Sequence, residues 1–214
     1  MRVEELKKFK LPDEPGVYIF KKERNILYIG KAASLRDRVR SYFSKDLAET
    51  RGQHMVGMVE SATSVVHQTT GSVLEALILE ANLIKNHLPP FNIEQKDNKS
   101  WNYVVITKEE FPRVLLVRGR ELFQNWKESD IKYQFGPFPH GGQLQDALKM
   151  VRRIFPFRDS KCTPRSGKPC FNRQIGLCPG VCTGEMDRQT YAETIRNIKD
   201  LFSAKFKGLK LRLA

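Results

Sequence analysis

Between Gly16 and Gly30 the chain alternates in the manner of a half-buried hairpin. Val17, Ile19, Leu27 and Ile29 fall on one side and Tyr18, Phe20, Ile26 and Tyr28 on the other, with Lys22, Glu23, Arg24 and Asn25 as the polar turn. The pattern predicts strands over Val17 to Lys21 and Ile26 to Gly30, the first opened by Pro15 and Gly16. Ser34 is placed to cap a helix running through Arg38 to about Phe43, and a second helix around His54 to Ser61 precedes a strand at Ser64 to Thr69. The stretch SVLE, Ser72 to Glu75, is a capping box, so a long helix begins there and runs to about His87, where Pro89 and Pro90 stop it.

Farther on, WNYVVIT (101–107) and RVLLVRG (113–119) predict two strands around a turn at Glu109 to Pro112, and FGPFPHGG (135–142) predicts a rigid loop. Helices are expected from about Gln143 to Ile154 and from about Asp187 to Ser203, with a basic tail, KFKGLKLRLA, after them. The expected class is α+β: a small mixed or antiparallel three-stranded sheet flanked by helices, then a small β-containing and cysteine-rich helical region. The expected divisions are 1–96, 97–157, 158–184 and 185–214.

One position breaks the apolar pattern. With Glu80 at the centre of a helical wheel, Val73, Ala76, Leu77, Leu83 and Ile84 lie within about 60° of it, whereas Glu75, Asn82 and Lys85 gather behind. A buried carboxylate costs several kcal/mol in effective terms unless it is protonated, paired with Arg or Lys, or bound to a cation. A single carboxylate suits Mg²⁺, which keeps most of its waters. On the preceding helix Leu35, Arg38 and Tyr42 share a face at i, i+3 and i+7, so Arg38 and Tyr42 can reach one cleft, while Arg36 and Arg40 point elsewhere, toward solvent or a phosphate outside the site.

Charge changes the picture of the partner. Lys and Arg number 37 against 24 Asp and Glu, a formal charge of +13, which points to a polyanion and first to nucleic acid. Apolar residues make up 40% of the 214, enough for a core. Neither a signal-peptide core nor a membrane-length apolar run is present, so no membrane is expected and a cytoplasmic setting is. There, the four cysteines Cys162, Cys170, Cys178 and Cys182 favour metal over disulfide, as zinc or an iron-sulfur site. Lys161, Arg165, Lys168 and Arg173 in the same loop would face phosphate.

Gly16-Val17-Tyr18 and Tyr28-Ile29-Gly30 resemble the two triplets of the GIY-YIG nucleases. The ordered set YIGKA (28–32), LRDRVRSYF (35–43), EALILEANLIK (75–85) and PPFN (89–92) strengthens the likeness. KDNKSWNYVVIT, YQFGPFP and CFNRQIGLCPGVC extend it to the N-terminal half of UvrC, the incision subunit of bacterial nucleotide excision repair. Val17 in place of Ile is the one departure in the first triplet.

The resemblance implies a metal-dependent endonuclease cutting damaged double-stranded DNA on the 3′ side of a lesion, with Mg²⁺ or Mn²⁺ on Glu80 and with UvrB as partner. It implies Tyr28 as general base and Arg38 as the group stabilising the transition state. Tyr18, Lys31, Tyr42 and Asn92 become supporting polar residues, and the four cysteines become ligands of a [4Fe-4S] cluster, zinc being the alternative. A phenol is a poor base at neutral pH, so Tyr28 requires positive charge from Lys31, Arg38 or the metal. Gly30 is expected to leave room for the substrate backbone. The second expectation is a non-catalytic basic Fe-S or zinc protein that binds damaged DNA. The chain is expected to be either a fragment of UvrC or a short relative like the Cho proteins.

Overall fold

The computed structural model describes residues 9–93 and 101–213. The chain divides into two compact units, residues 1–97 and 98–214. The expected boundary at residue 96 lies outside the described residues.

In the first unit β1 (Gly16–Lys22) pairs antiparallel with both β2 (Asn25–Ala32) and β3 (Ser64–Thr69), giving the order β2-β1-β3 and leaving β2 with a free edge. α1 (Leu35–Arg40) follows, capped by Ser34, whose side chain accepts from the Asp37 N–H. It passes into a single 3₁₀ turn at Ser41–Phe43 rather than continuing as α-helix. A five-residue helix that the pattern does not predict, α2 (Leu47–Arg51), precedes α3 (Gln53–Ser61).

Tyr18, Phe20 and Leu27 pack with Leu35, Val39, Tyr42, Met55, Met58 and Val59 in one apolar cluster. Leu27 was expected on the other face. The register shifts between Phe20 and Lys21, so Phe20 pairs with Tyr28 and Lys21 with Ile26, and the intervening Leu27 drops out of strict alternation.

α4 (Val73–His87) packs along β2 and β1, where Val17 and Ile29 are buried. Ser72 caps α4 as predicted, accepting from the Glu75 N–H, while the Glu75 carboxylate reaches back to the Gly71 N–H, one residue before the cap. The buried side of α4 is wider than the wheel indicates, because Ile78 and Ala81 are buried too, whereas Val73 at the helix start is exposed. Glu80 therefore lies toward one flank of the buried face rather than at its centre. The short α5 (Pro90–Ile93) closes the unit.

The second unit contains β4 (Asn102–Thr107), β5 (Val114–Arg118), α6 (Gly119–Asn125) and β6 (Ile131–Phe138), the strands ordered β5-β4-β6 and all antiparallel. Neither sheet is mixed. Every residue of β4 is buried, as a central strand requires.

Residues 135–138, expected in a loop, belong to β6. Asn102 pairs with Phe138 and Val104 with Phe135, so Gly136 and Pro137 together oppose Tyr103 and form a bulge. α7 (Gly141–Ile154), α8 (Phe171–Gln174), α9 (Arg188–Phe202) and α10 (Phe206–Leu213) complete the unit, the last forming where only a tail was expected. Phe202 of α9 lies 5.5 Å from Phe135 and 6.2 Å from Phe138 between ring centres. No helix among the described residues is long and apolar enough to cross a membrane.

Candidate active site

Three phenols cluster over one face of the first sheet. Ring centres are 5.7 Å apart for Tyr18 and Tyr42, 6.3 Å for Tyr18 and Tyr28, and 6.1 Å for Tyr28 and Tyr42. Tyr18 and Tyr42 are buried, with hydroxyls 2.8 Å apart, while Tyr28 is partly exposed. Arg38 Nε donates to the Tyr18 hydroxyl at 3.3 Å, so the i, i+3, i+7 face of the α1 region does meet the hairpin.

Gly30 sits directly across from Tyr18 in the ladder. A Cβ there would collide with the Tyr18 hydroxyl and ring. The clearance over Gly30 thus accommodates a phenol of the protein itself.

The other predicted groups line the free edge of β2, where outward backbone groups need partners. Asn92 answers both of Ile29's, its Oδ1 accepting from the N–H and its Nδ2 donating to the C=O, each at 2.8 Å. Two residues on, Glu80 Oε1 accepts from the Lys31 N–H at 2.9 Å and Oε2 from Lys31 Nζ at 3.1 Å. Asn92 and Glu80 are side chains standing in for a neighbouring strand, and they hold Tyr28-Ile29-Gly30-Lys31 in register from outside.

Glu80 is 4% exposed. Burial pushes its carboxyl above the ordinary glutamate value, and Lys31, with a smaller contribution from Arg38, offsets only part of this. The carboxylate has an ion-pair partner, as one of the three sequence options required, yet it remains under-stabilised as an anion.

Burial likewise drives the Tyr18 and Tyr28 phenols well above the usual tyrosine value. Neighbouring phenols add to the rise, as does Glu80 in the case of Tyr28, and Arg38 counters it incompletely. Of the two cations that could help Tyr28 ionise, Arg38 is outweighed and Lys31 is engaged by Glu80.

No group of three or more His, Cys, Asp or Glu arranged to hold a metal occurs among the described residues. A divalent ion here would rest on Glu80 alone. That fits Mg²⁺ or Mn²⁺, which bind through one or two carboxylates and retain water.

The remaining predicted residues lie elsewhere. Arg36 pairs with Asp13 at 2.7 Å and with Asp37 at 3.4 Å, and Arg40 is exposed. In the second unit Arg165 pairs with Glu110 at 2.8 Å and Arg173 with Glu185, leaving Lys161 and Lys168 as the exposed lysines of that loop.

The four thiols are free, Cys178 and Cys182 buried and Cys162 and Cys170 less so. Backbone bonds from Arg165 to Val181 and from Gly167 to Cys182 lay the two arms of the loop together. Burial and the other three thiols raise Cys162 to about 11. Cys182 is lowered: burial opposes the change, but the Cys170 backbone and the Cys170 and Cys162 thiols donate to it. The donor set is therefore gathered in one loop, though not in metal-holding geometry.

Two residues at the site escaped the sequence reading. Arg51 stands over the Tyr42 ring at 4.3 Å, and Ser41 links it to the backbone of Arg38. Arg51 lies outside every motif segment, and Ser41, although within LRDRVRSYF, carries no chemical signal of its own.

Residues 14–93 match the family model of the UvrC-like GIY-YIG domain, and residues 101–201 match that of the UvrC/Cho excinuclease middle domain. UvrABC system protein C of Moorella thermoacetica is 43% identical over 197 residues, covering 88% of this chain and 30% of that protein. The protein of the same name from Thermus thermophilus is 39% identical over 201 residues, 93% of this chain and 32% of the other. This chain thus spans about a third of the length of those curated relatives. Among solved structures, the GIY-YIG N-terminal endonuclease domain of UvrC from Thermotoga maritima, bound to magnesium as its catalytic divalent cation, is 38% identical. It covers 44% of this chain and 100% of its own, with a TM-score of 0.38. With both of its units matched in that order, the chain belongs to the UvrC family, a GIY-YIG endonuclease domain followed by the UvrC/Cho middle domain.

Proposed function

We propose that the chain is a metal-dependent DNA endonuclease of nucleotide excision repair, acting in the cytoplasm. It hydrolyses a phosphodiester on the 3′ side of a lesion in duplex DNA presented by UvrB. The observation that carries this reading is Glu80, a carboxylate buried against the edge strand of the Tyr28 triplet with its pKa raised despite Lys31. Buried carboxylates perturbed in this way beside other ionisable groups are candidates for a functional site.

Glu80 is the residue that would hold Mg²⁺ or Mn²⁺. Such an ion, when bound, supplies charge that stabilises the phosphate and the leaving oxygen and favours ionisation of a nearby phenol. Arg38 offers a planar, permanently charged fork to the same phosphate. Tyr28, the partly exposed phenol of the three, would orient the attacking water and, once ionised under the charge of the bound ion, take its proton. Tyr18 and Tyr42, linked by their hydroxyls, hold Arg38 and Tyr28 in place. Asn92 and Lys31 keep the strand carrying Tyr28 in register at its free edge.

In the same reading Cys162, Cys170, Cys178 and Cys182 ligate a [4Fe-4S] cluster, with zinc as the alternative. The support is their convergence in one loop tied arm to arm by backbone bonds. Visible absorbance in anaerobically purified protein is expected, and a colourless sample with stoichiometric zinc would decide for the alternative.

Nicking of lesion-bearing duplex DNA in Mg²⁺ or Mn²⁺, with and without UvrB, tests the function. A cut on the 3′ side that chelator abolishes is expected, with UvrB increasing its rate. Binding without cutting under every condition would leave the non-catalytic DNA-binding reading.

A further inference from the structure

Arg51 ends α2 with its guanidinium carbon 4.3 Å from the centre of the Tyr42 ring, closer than that of Arg38 at 5.8 Å. Its Nη2 donates to Ser41 Oγ at 2.8 Å, and Ser41 Oγ donates in turn to the Arg38 carbonyl at 2.7 Å. Its Nη1 is buried without a hydrogen-bond partner. A buried guanidinium N–H left without an acceptor is unfavourable unless another electron-rich group compensates, and the π face of Tyr42 beneath the guanidinium is that group. Since Nη1 is closed off from solvent, that nitrogen cannot contact a DNA phosphate.

We propose that Arg51 is a positioning residue of the nuclease site, clamping the Tyr42 ring and the Ser41–Phe43 turn so that Tyr42 and Arg38 meet the Tyr18 hydroxyl. The proposal rests on the nuclease reading above and adds a residue outside the GIY-YIG triplets and the four motif segments. Arg51 acts through Tyr42: the cation fixes the ring plane, and the Ser41 bridge fixes the end of α1 from which Arg38 projects. A loosened Tyr42 would leave the Tyr18–Tyr42 hydroxyl pair and the Arg38 contact to drift, which lowers turnover more than it weakens DNA binding.

The test is steady-state nicking by the full chain in Mn²⁺, comparing wild type, Arg51→Met, Arg51→Lys, Tyr42→Phe and the Arg51→Met/Tyr42→Phe double variant. Arg51→Met should lower kcat about tenfold with KM for DNA held within about twofold, and Arg51→Lys should recover part of the loss by keeping a cation over the ring. In the Tyr42→Phe background the Arg51→Met change should cost clearly less than the tenfold it costs in wild type, because the hydroxyl it positions is gone and only the Ser41 bridge to Arg38 remains. A change in KM alone, or losses that multiply in the double variant, would overturn the proposal.

Denaturant unfolding of Arg51→Met, Tyr42→Leu and their double variant reads the clamp without any activity. Non-additive midpoints uphold it and strictly additive ones overturn it. An inactive wild type with non-additive midpoints would sink the nuclease reading while upholding the clamp.

Discussion

Each unit of the chain shelters a glutamate beside a basic side chain, and the two are treated in opposite ways. Glu109 in the second unit accepts from Thr107 Oγ1 at 2.5 Å, Arg113 Nε at 2.8 Å and Arg158 Nη2 at 2.9 Å. Burial opposes its ionisation, but those hydrogen bonds and charges prevail and hold the carboxyl below the usual glutamate value. Glu80 in the first unit is more deeply buried, has the backbone and ammonium of a single lysine, and is raised. Glu109 is a finished structural ion pair. Glu80 is an anion for which the fold has supplied too little compensation, and it stands beside three phenols and an arginine. On the proposed reading, the incompletely satisfied carboxylate holds the metal and the satisfied one serves packing.

The largest effect that would sharpen this contrast is on catalysis. Glu80→Gln should reduce nicking by about a thousandfold or more while DNA affinity stays within a few-fold, as read by single-turnover cleavage and filter binding. Undiminished cleavage in excess Mg²⁺ would break the assignment. Tyr28→Phe should lower the single-turnover rate by about a hundredfold without weakening binding. Loss of binding alone would give that phenol a different role.

On the other side of the comparison, Glu109→Gln leaves Arg158, only 5% exposed, without its anion. A loss of about 2 kcal/mol in denaturant unfolding is expected, with unchanged cleavage per folded molecule.

The smallest effect is in the pH dependence of stability, and the two residues should differ in sign. Because the folded pKa of Glu80 is raised, its burden is absent below the ordinary glutamate pKa and grows as pH rises through the folded value. Glu80→Gln should therefore gain in melting temperature relative to wild type as pH rises above the ordinary glutamate range. The folded pKa of Glu109 is lowered, so its contribution is present above the ordinary value and lost as pH falls through the folded one. The deficit of Glu109→Gln should accordingly shrink on acidification. Parallel pH curves for the two variants would erase the distinction.

Local signals carried much of the fold. The Ser72 capping box places the start of α4, and alternation places β3 at Ser64–Thr69. The i, i+3, i+7 spacing of Leu35, Arg38 and Tyr42 puts two polar side chains near Tyr18, and the apolar wheel singles out Glu80. What escaped depends on partners distant in sequence or on irregular backbone. The bulged FGPF segment carries turn residues yet pairs with β4, because two residues can oppose one. The extra residue in β2 turns Leu27 toward the phenol face. That Lys31 would be the cation at Glu80, and that Asn92 would complete the edge of β2 at Ile29, rests on contacts across 49 and 63 positions that no local pattern encodes. Arg51 reaches Tyr42 from a helix too short to show periodicity.

The most direct measurement is Mn²⁺ binding by the wild-type chain and by Glu80→Gln, followed by electron paramagnetic resonance in the absence of DNA. One site in the wild type that vanishes in the variant, with the Glu109→Gln chain still binding, is the result this account predicts. Equal Mn²⁺ binding by wild type and Glu80→Gln would contradict it.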